Sequence, residues 1–278
     1  MIPILDTHLH LIYLDRFAYP WLDGVPALKR NFHLETYARE AATAGIAQAL
    51  HMEVDVAEAE IERETDFVTG LGGKVIAAIS SCRPESRDFP AELERLAANP
   101  KVRGFRRILH TSPDALSQAP IFTENLRRLA VHQLTFDICV QVRQLPLALR
   151  IARACRDVQF ILDHCGGAPD VKAPPTAQWR DDIRAMATEP NVACKISGII
   201  ATAAPGNWKT DDLRPFVEHV IDSFGWDRVV WGSDWPVCTL GASLGAWVSA
   251  THEIIAGASA ENQTKLFRGN AERIYRIT

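Results

Sequence analysis

The chain has 278 residues, 47 % apolar and 23 % charged, and 30 basic against 34 acidic side chains leave a net charge of −4. That composition excludes a disordered chain, a collagen-like fibre and a small disulfide-stapled scaffold. No basic block marks a nucleic-acid partner, and no run nears the ~18 apolar residues of a membrane span.

The elements read as follows in chain order. Ile4–His10 is the first β-rich run, and His8 and His10, two residues apart, share one face of its C-terminal end. The stretch Leu11–His33 has no helix signal and is rich in Tyr, Trp and Pro; its aromatics, Trp21 among them, suit an ordered lid or pocket wall. Ile46–Met52 is the second run, with His51 and Glu53 at its end. Asp55 and Glu58 form a capping-box variant opening a helix over Val56–Leu71, which Gly72 and Gly73 stop. Lys74–Ser80 is the third run, followed by a helix over Ala91–Ala98 with Pro90 in its first turn. Val102–Ile108, the fourth, carries Arg106 near its end. Leu134–Val140, the fifth, leads to Gln141, Arg143 and a helix over Leu145–Arg156. Val158–His164, the sixth, ends in Asp163 and His164 before Cys165, Gly166 and Gly167. Val192–Ser197, the seventh, carries Lys195 and is followed by Trp208 and a helix over Asp211–Phe224 closed by Gly225. Arg228–Asp234, the eighth, ends at Asp234 with Trp235 next, and helices over Leu244–Ala256 and Ala260–Tyr275 complete the chain.

The starts of these runs lie 42, 28, 28, 32, 24, 34 and 36 residues apart, room each time for a helix and two loops. A parallel crossover needs that room, and a hairpin does not. Near-continuous apolar strands alternating with helices predict a closed (β/α)₈ TIM-like barrel with additional C-terminal helices, one domain over residues 1–278. A doubly wound sheet is the rival, but it usually has a Gly-rich turn after the first strand. Here Asp6-Thr-His-Leu-His stands in that place.

Barrel enzymes build their sites at the C-terminal ends of the strands. His8 and His10 there can bind a divalent metal together, and an acid at Asp234, beside them once the barrel closes, can contact that metal or take a proton from water. His164 is a rim imidazole with an ordinary structural alternative, a hydrogen bond. Arg106 and Lys195 are buried-rim cations that must meet either a substrate oxygen or a neighbouring acid. His51 suits a structural hydrogen bond or a substrate contact; Gln141 and Arg143 are weaker contacts. Trp21, Trp208 and Trp235 serve as pocket wall or as packing. No G-x-S-x-G elbow is present, and Gly70-Leu-Gly-Gly-Lys lacks P-loop spacing. The six cysteines include no C-x-x-C pair, and the start Met1-Ile-Pro-Ile-Leu-Asp has no basic leader, which reads as a cytoplasmic protein with reduced thiols. Cys165, Cys194 and Cys238, close to the proposed rim residues, read as packing around the site.

Six motifs carry a resemblance: Asp6-Thr-His-Leu-His, Tyr19-Pro-Trp-Leu, Arg103-Gly-Phe-Arg, Leu162-Asp-His-Cys-Gly, Cys194-Lys-Ile-Ser-Gly and Trp231-Gly-Ser-Asp-Trp-Pro-Val, with Gly269-Asn-Ala-Glu-Arg-Ile-Tyr at the end. In this order the chain resembles the amidohydrolase superfamily, in its lactonase-rich branch. Val142-Arg143-Gln144-Leu145-Pro146 is similar to the sugar-lactone hydrolases. The resemblance implies a distorted barrel and hydrolysis of a sugar-acid lactone. It implies one divalent metal, zinc by preference, or none, with His8, His10, His164 and Asp234 as the ligand positions and Asp234 as the catalytic acid. Arg106, Lys195 or the metal would polarise the carbonyl. A decarboxylase or a lactone isomerase of the same superfamily, and a barrel that only binds a ligand, are the alternatives. The partner expected is a small sugar lactone, to a monomer or homo-oligomer.

Overall fold

Each of the eight apolar runs forms a strand in the computed structural model, which describes residues 2–277. The strands are β1 (Ile4–Leu9), β2 (Ile46–Met52), β3 (Val75–Ser81), β4 (Val102–Ile108), β5 (Thr135–Cys139), β6 (Phe160–Leu162), β7 (Val192–Ile196) and β8 (Val229–Trp231). They pair in parallel in sequence order. One helix of eight residues or more follows each strand: α1 (Leu34–Thr43), α2 (Ile61–Gly70), α3 (Phe89–Ala97), α4 (Pro120–Arg127), α5 (Leu145–Ala154), α6 (Ala177–Ala187), α7 (Thr210–Phe224) and α8 (Leu244–Ile254). This is a (β/α)₈ barrel with a helical C-terminal extension.

Two details differ from the sequence reading, and a third, the order of the segment after β1, agrees with it. The helix expected from Val56 begins at Ile61, because Asp55 has a left-handed backbone (φ 48°) and Glu53 Oε2 accepts its N–H, so it caps nothing. The single helix expected over Ala260–Tyr275 is broken into α9 (Ala260–Thr264), a π turn (Lys265–Gly269) and α10 (Asn270–Ile274). The long segment after β1 is ordered by a bridge between Ile12 and Phe32 and by two 3₁₀ turns, Pro20–Gly24 and Pro26–Leu28.

The barrel closes irregularly. Trp235, beyond β8, supplies the bridge to Leu9, and His10 N donates to Trp235 O over 2.7 Å. Asp6 clasps this seam: Oδ1 accepts from Ser233 N (2.7 Å) and His8 N (3.0 Å), and Oδ2 from Tyr37 of α1 (2.6 Å). An ordinary ladder does not join β8 to β1, so a buried carboxylate takes over the orphaned N–H groups.

Strand alternation sorts the interior into layers. The lower layer is apolar, with Leu5, Leu50, Ile79, Ile161, Ala193 and Val230 packed on Ile274 and Tyr275, so α10 stoppers the barrel from below. Two residues further up the same strands stand Asp163 and Lys195, and Arg106 of β4 pairs in register with Asp137 of β5, which pairs in turn with Ile161. A second, larger apolar cluster fills the space between strands and helices. All six cysteines are buried free thiols. Among the described residues no helix is long and apolar enough to cross a membrane.

Candidate active site

The C-terminal end of β1 brings His8 and His10 together, with Nε2 atoms 3.1 Å apart. Asp234 Oδ1, carried over by the loop after β8, lies 3.6 Å from His8 Nε2 and 3.5 Å from His10 Nε2. Asp234 sits in a left-handed conformation (φ 57°), and its N–H donates to His8 O over 2.8 Å. The backbone therefore fixes the carboxylate against the two imidazoles. His10 Nδ1 faces the carbonyl of Met52 at 3.0 Å and must donate to it. His8 faces a donor-only group at each ring nitrogen, the Lys195 ammonium at Nδ1 (3.2 Å) and the Arg106 guanidinium at Nε2 (3.1 Å).

His164 opens the turn after β6 with φ 55°. Its ring centre is 4.5 Å from that of His8, and its Nδ1 pairs with Ser197 Oγ at 2.9 Å. His8, Asp163 and His164 form one cluster able to hold an ion, and His8, His10 and Asp234 form another. The four positions named from the resemblance are thus split, with His8 common to both clusters.

Both rim cations meet acids. Arg106 Nε donates to Glu53 Oε1 (2.6 Å) and Nη2 to Glu53 O (2.8 Å), while Nη1 stands 3.1 Å from His8 Nε2. Lys195 Nζ lies 2.5 Å from Asp137 Oδ1 and 3.0 Å from Asp163 Oδ1. Burial pulls His8 well below the usual imidazole range, and Lys195 adds to that against Asp163. Burial alone would raise Asp163, but Lys195 and His8 outweigh it and hold the carboxyl well below the ordinary value. Burial opposes the charge on Lys195 as well, yet Asp137 and Asp163 raise it. The floor of the site is therefore a set of buried charges in mutual compensation, beneath a neutral His8.

The other expected contacts fall in different places. Trp21 is half-buried, and its Nε1 donates to Val54 O just beyond β2 (2.8 Å). Trp208 is half-buried on the loop between β7 and α7. Trp235 turns outward: its ring meets Phe32 and Tyr37, and its Nε1 reaches Glu40 of α1 at 3.2 Å. It packs the barrel wall and does not line the mouth. His51 is buried, and its Nε2 accepts from Leu11 N at 3.4 Å, a structural contact. Gln141 is engaged at both ends, by His110 O (2.8 Å) and by Arg143 Nε (2.9 Å), and Arg143 also pairs with Asp114.

Two residues of this neighbourhood escaped the sequence reading. Asp137 is an acid between Phe136 and Ile138, and its place two strands from Lys195 is a signal that the barrel register exposes. His110, after β4, pairs with Cys139 Sγ at 3.3 Å. Burial, with Arg106 and His164 nearby, brings His110 down to about 4.

Donor atoms on a tetrahedral zinc stand about 3.3 Å apart for bonds of ~2.0–2.1 Å. The 3.1, 3.5 and 3.6 Å separations among His8, His10 and Asp234 fit that spacing. The Met52 carbonyl on His10 is the outer partner that orients a ligating imidazole. For an ion to take His8 Nε2, the ring proton must stand on Nδ1, where Asp163 Oδ1 is 3.6 Å away.

Imidazoles and a carboxylate converging at that end of a barrel are an enzyme's equipment. The chain belongs to the amidohydrolase family, whose model matches residues 5–277. A relative named L-fucono-1,5-lactonase from Burkholderia ambifaria is 29% identical, covering 98% of this chain and 95% of that one. A relative named L-rhamnono-gamma-lactonase from Scheffersomyces stipitis is 22% identical over 63% of this chain and 59% of that one. The crystal structure of an amidohydrolase from Burkholderia multivorans with bound zinc superimposes with a TM-score of 0.88 at 25% identity, covering 99% of both chains.

Proposed function

We propose that this enzyme hydrolyses the lactone of a neutral sugar acid, with Asp234 as base and then acid. The observation that carries the reading is the Asp234 carboxylate held 3.5–3.6 Å from the His8 and His10 nitrogens at the barrel mouth. Asp234 takes a proton from water as the oxygen attacks the lactone carbonyl carbon. The carbonyl π electrons move onto oxygen, giving a tetrahedral oxyanion. Its collapse breaks the ring C–O bond, and Asp234 returns the proton to the leaving alkoxide. The product is an open hydroxy acid, whose ionisation releases one proton to solvent.

His164 is the donor best suited to the oxyanion. With Ser197 Oγ as the donor to its Nδ1, 2.9 Å away, the proton stands on Nε2, which has no hydrogen-bond partner among the described residues. Arg106, 3.1 Å from His8, adds a fixed positive charge under the floor. A divalent metal held by His8, His10 and Asp234 would supply Lewis acidity toward the carbonyl when bound. Trp21 and Trp208 cover the sugar ring, and Gln141 and Arg143 border its hydroxyls.

Charge favours a neutral ring. Arg83 pairs with Asp55 and Glu58, Arg106 with Glu53, Arg143 with Asp114, and Lys195 with Asp137 and Asp163. A dicarboxylate lactone would need cations released from these acids. The names of the two lactonase relatives support a sugar lactone.

The test is a panel of aldonolactones, L-fucono- and L-rhamnonolactone included, followed by a pH indicator with and without chelator. Release of one acid equivalent per ring opened is the expected result. Released CO₂, a ring-shifted lactone by NMR, or no turnover of any lactone would each replace the proposal with another reading.

A further inference from the structure

The stopper of the barrel contains one polar side chain that its packing does not require. Tyr275, three residues from the last residue of the sequence, is 1 % exposed and enters the apolar lower layer beside Leu5, Ile161 and Val230. Phenylalanine would fill that space equally well. The tyrosine hydroxyl instead donates to Asp137 Oδ1 at 2.9 Å. The same oxygen accepts from Lys195 Nζ at 2.5 Å, and Lys195 reaches His8 Nδ1 at 3.2 Å. A continuous polar chain thus runs from the helical extension up the barrel axis to the imidazole at the mouth.

A buried ion pair is weak support for stability, since apolar replacements of equal volume are often neutral or stabilising. The chain has geometric content, however. The Lys195 ammonium has three protons and faces three acceptors: Asp137 Oδ1, Asp163 Oδ1 and His8 Nδ1. Its position on His8 depends on where Asp137 stands. Asp137 Oδ2 has no hydrogen-bond partner among the described residues, so the carboxylate is oriented through Oδ1 alone. Only Tyr275 and Lys195 donate to it there.

We infer that Tyr275 is a positioning residue: by fixing Asp137 it holds the Lys195 ammonium against His8 Nδ1, at the base of the site. The helical extension is then a working part of the site and not only a cover. The kinetic arm of the test rests on the lactonase reading; the spectroscopic arm does not.

The experiment compares wild type, Tyr275→Phe and Ile274→Val, the last as a packing change in the same stopper. Two quantities are read: kcat and KM on the best aldonolactone, and the ¹⁵N shifts of the His8 ring, assigned against His8→Gln. The expected result for Tyr275→Phe is a fall in kcat of about tenfold, the scale of one hydrogen bond to a charged group, with KM within twofold. The His8 ring shifts should move away from their wild-type values, most at Nδ1, where Lys195 stands. Ile274→Val should leave both readouts near wild type. Unchanged His8 shifts in folded Tyr275→Phe would overturn the inference, as would a kcat equal to that of Ile274→Val. If the wild type opens no lactone, the lactonase reading fails and the ring shifts still decide the role of Tyr275.

Discussion

Asp234 N donates a hydrogen bond to the carbonyl of His8 over 2.8 Å, so the segment that closes the barrel is stitched to the strand that opens it at the point where both carry side chains of the candidate site. Removing the charge without changing the shape tests what that proximity does. Asp234→Asn should lower kcat by roughly 10²–10⁴, the scale of a lost general base, while thermal stability stays near wild type. Steady-state rates with a melting curve check this; near-normal turnover would remove Asp234 from the reaction.

The placement of Asp234 beside His8 and His10 was legible in the sequence, for a physical reason. Eight runs with crossover-length spacing determine a barrel, and a barrel places every strand end on one rim. His8, His10 and Asp234 meet for that reason. What sequence spacing does not carry is the direction of a side chain after the strand ends. Trp235 follows Asp234 directly, yet it packs against Phe32 and Tyr37 on the outside, while His164 turns to Ser197. The partners of Arg106 and Lys195 were equally hidden. Glu53 and Asp137 lie 53 and 58 residues away, and only the register of the closed sheet brings them into contact. The Asp55 cap failed for a local reason: its φ of 48° turns it out of the capping geometry.

Zinc binding has its own readout. If His8, His10 and Asp234 hold the ion, zinc at 100 times its Kd should stabilise the fold by about 2.7 kcal/mol through mass action. A rise in Tm that disappears in both His10→Ala and Asp234→Asn is the expected outcome, followed by calorimetry in metal-free buffer. A rise that persists in both variants would place the ion elsewhere.

Lys195 neutralises two buried acids, and a buried charge deprived of its partner is costly. Lys195→Met should destabilise the protein by about 3–5 kcal/mol, because Asp137 and Asp163 are left facing each other. Adding Asp137→Leu should recover much of that loss, although it introduces no new favourable charge contact. Chemical denaturation of the single and double variants measures both. A double variant no more stable than Lys195→Met would show that the acids are not the source of the cost.

Stability should also depend on pH through Glu92 of α3. Burial raises this carboxyl to about 7, against the pull of Arg83. The folded pKa lies above the ordinary value of 4.5, so the folded state binds the proton more tightly. This contribution is complete below about 4.5 and is lost as pH rises through 7. Glu92→Gln should therefore raise Tm at pH 8 by about 2–4 °C and leave it nearly unchanged at pH 4. Melting curves at the two pH values decide it.

Gly198 provides the sharpest steric test of the site. It follows Ser197, the partner of His164, and adopts φ +69°. A Cβ on it would stand 2.4 Å from His164 Nδ1 and 2.6 Å from Cγ of the same ring, closer than unbonded atoms approach. Gly198→Ala must therefore push the imidazole away from Ser197, in addition to straining a left-handed backbone at a cost of about 1–3 kcal/mol. If His164 Nε2–H serves the oxyanion, moving the ring should reduce kcat by about 10²-fold or more. Ser197→Ala is the companion variant, because it removes the hydroxyl and leaves room for the ring. It should cost less than Gly198→Ala, since the ring keeps its place and loses only the partner that fixes its tautomer. Rates and melting curves for both variants separate displacement from lost stability. A folded Gly198→Ala enzyme with wild-type kcat would mean that His164 takes no part in the reaction.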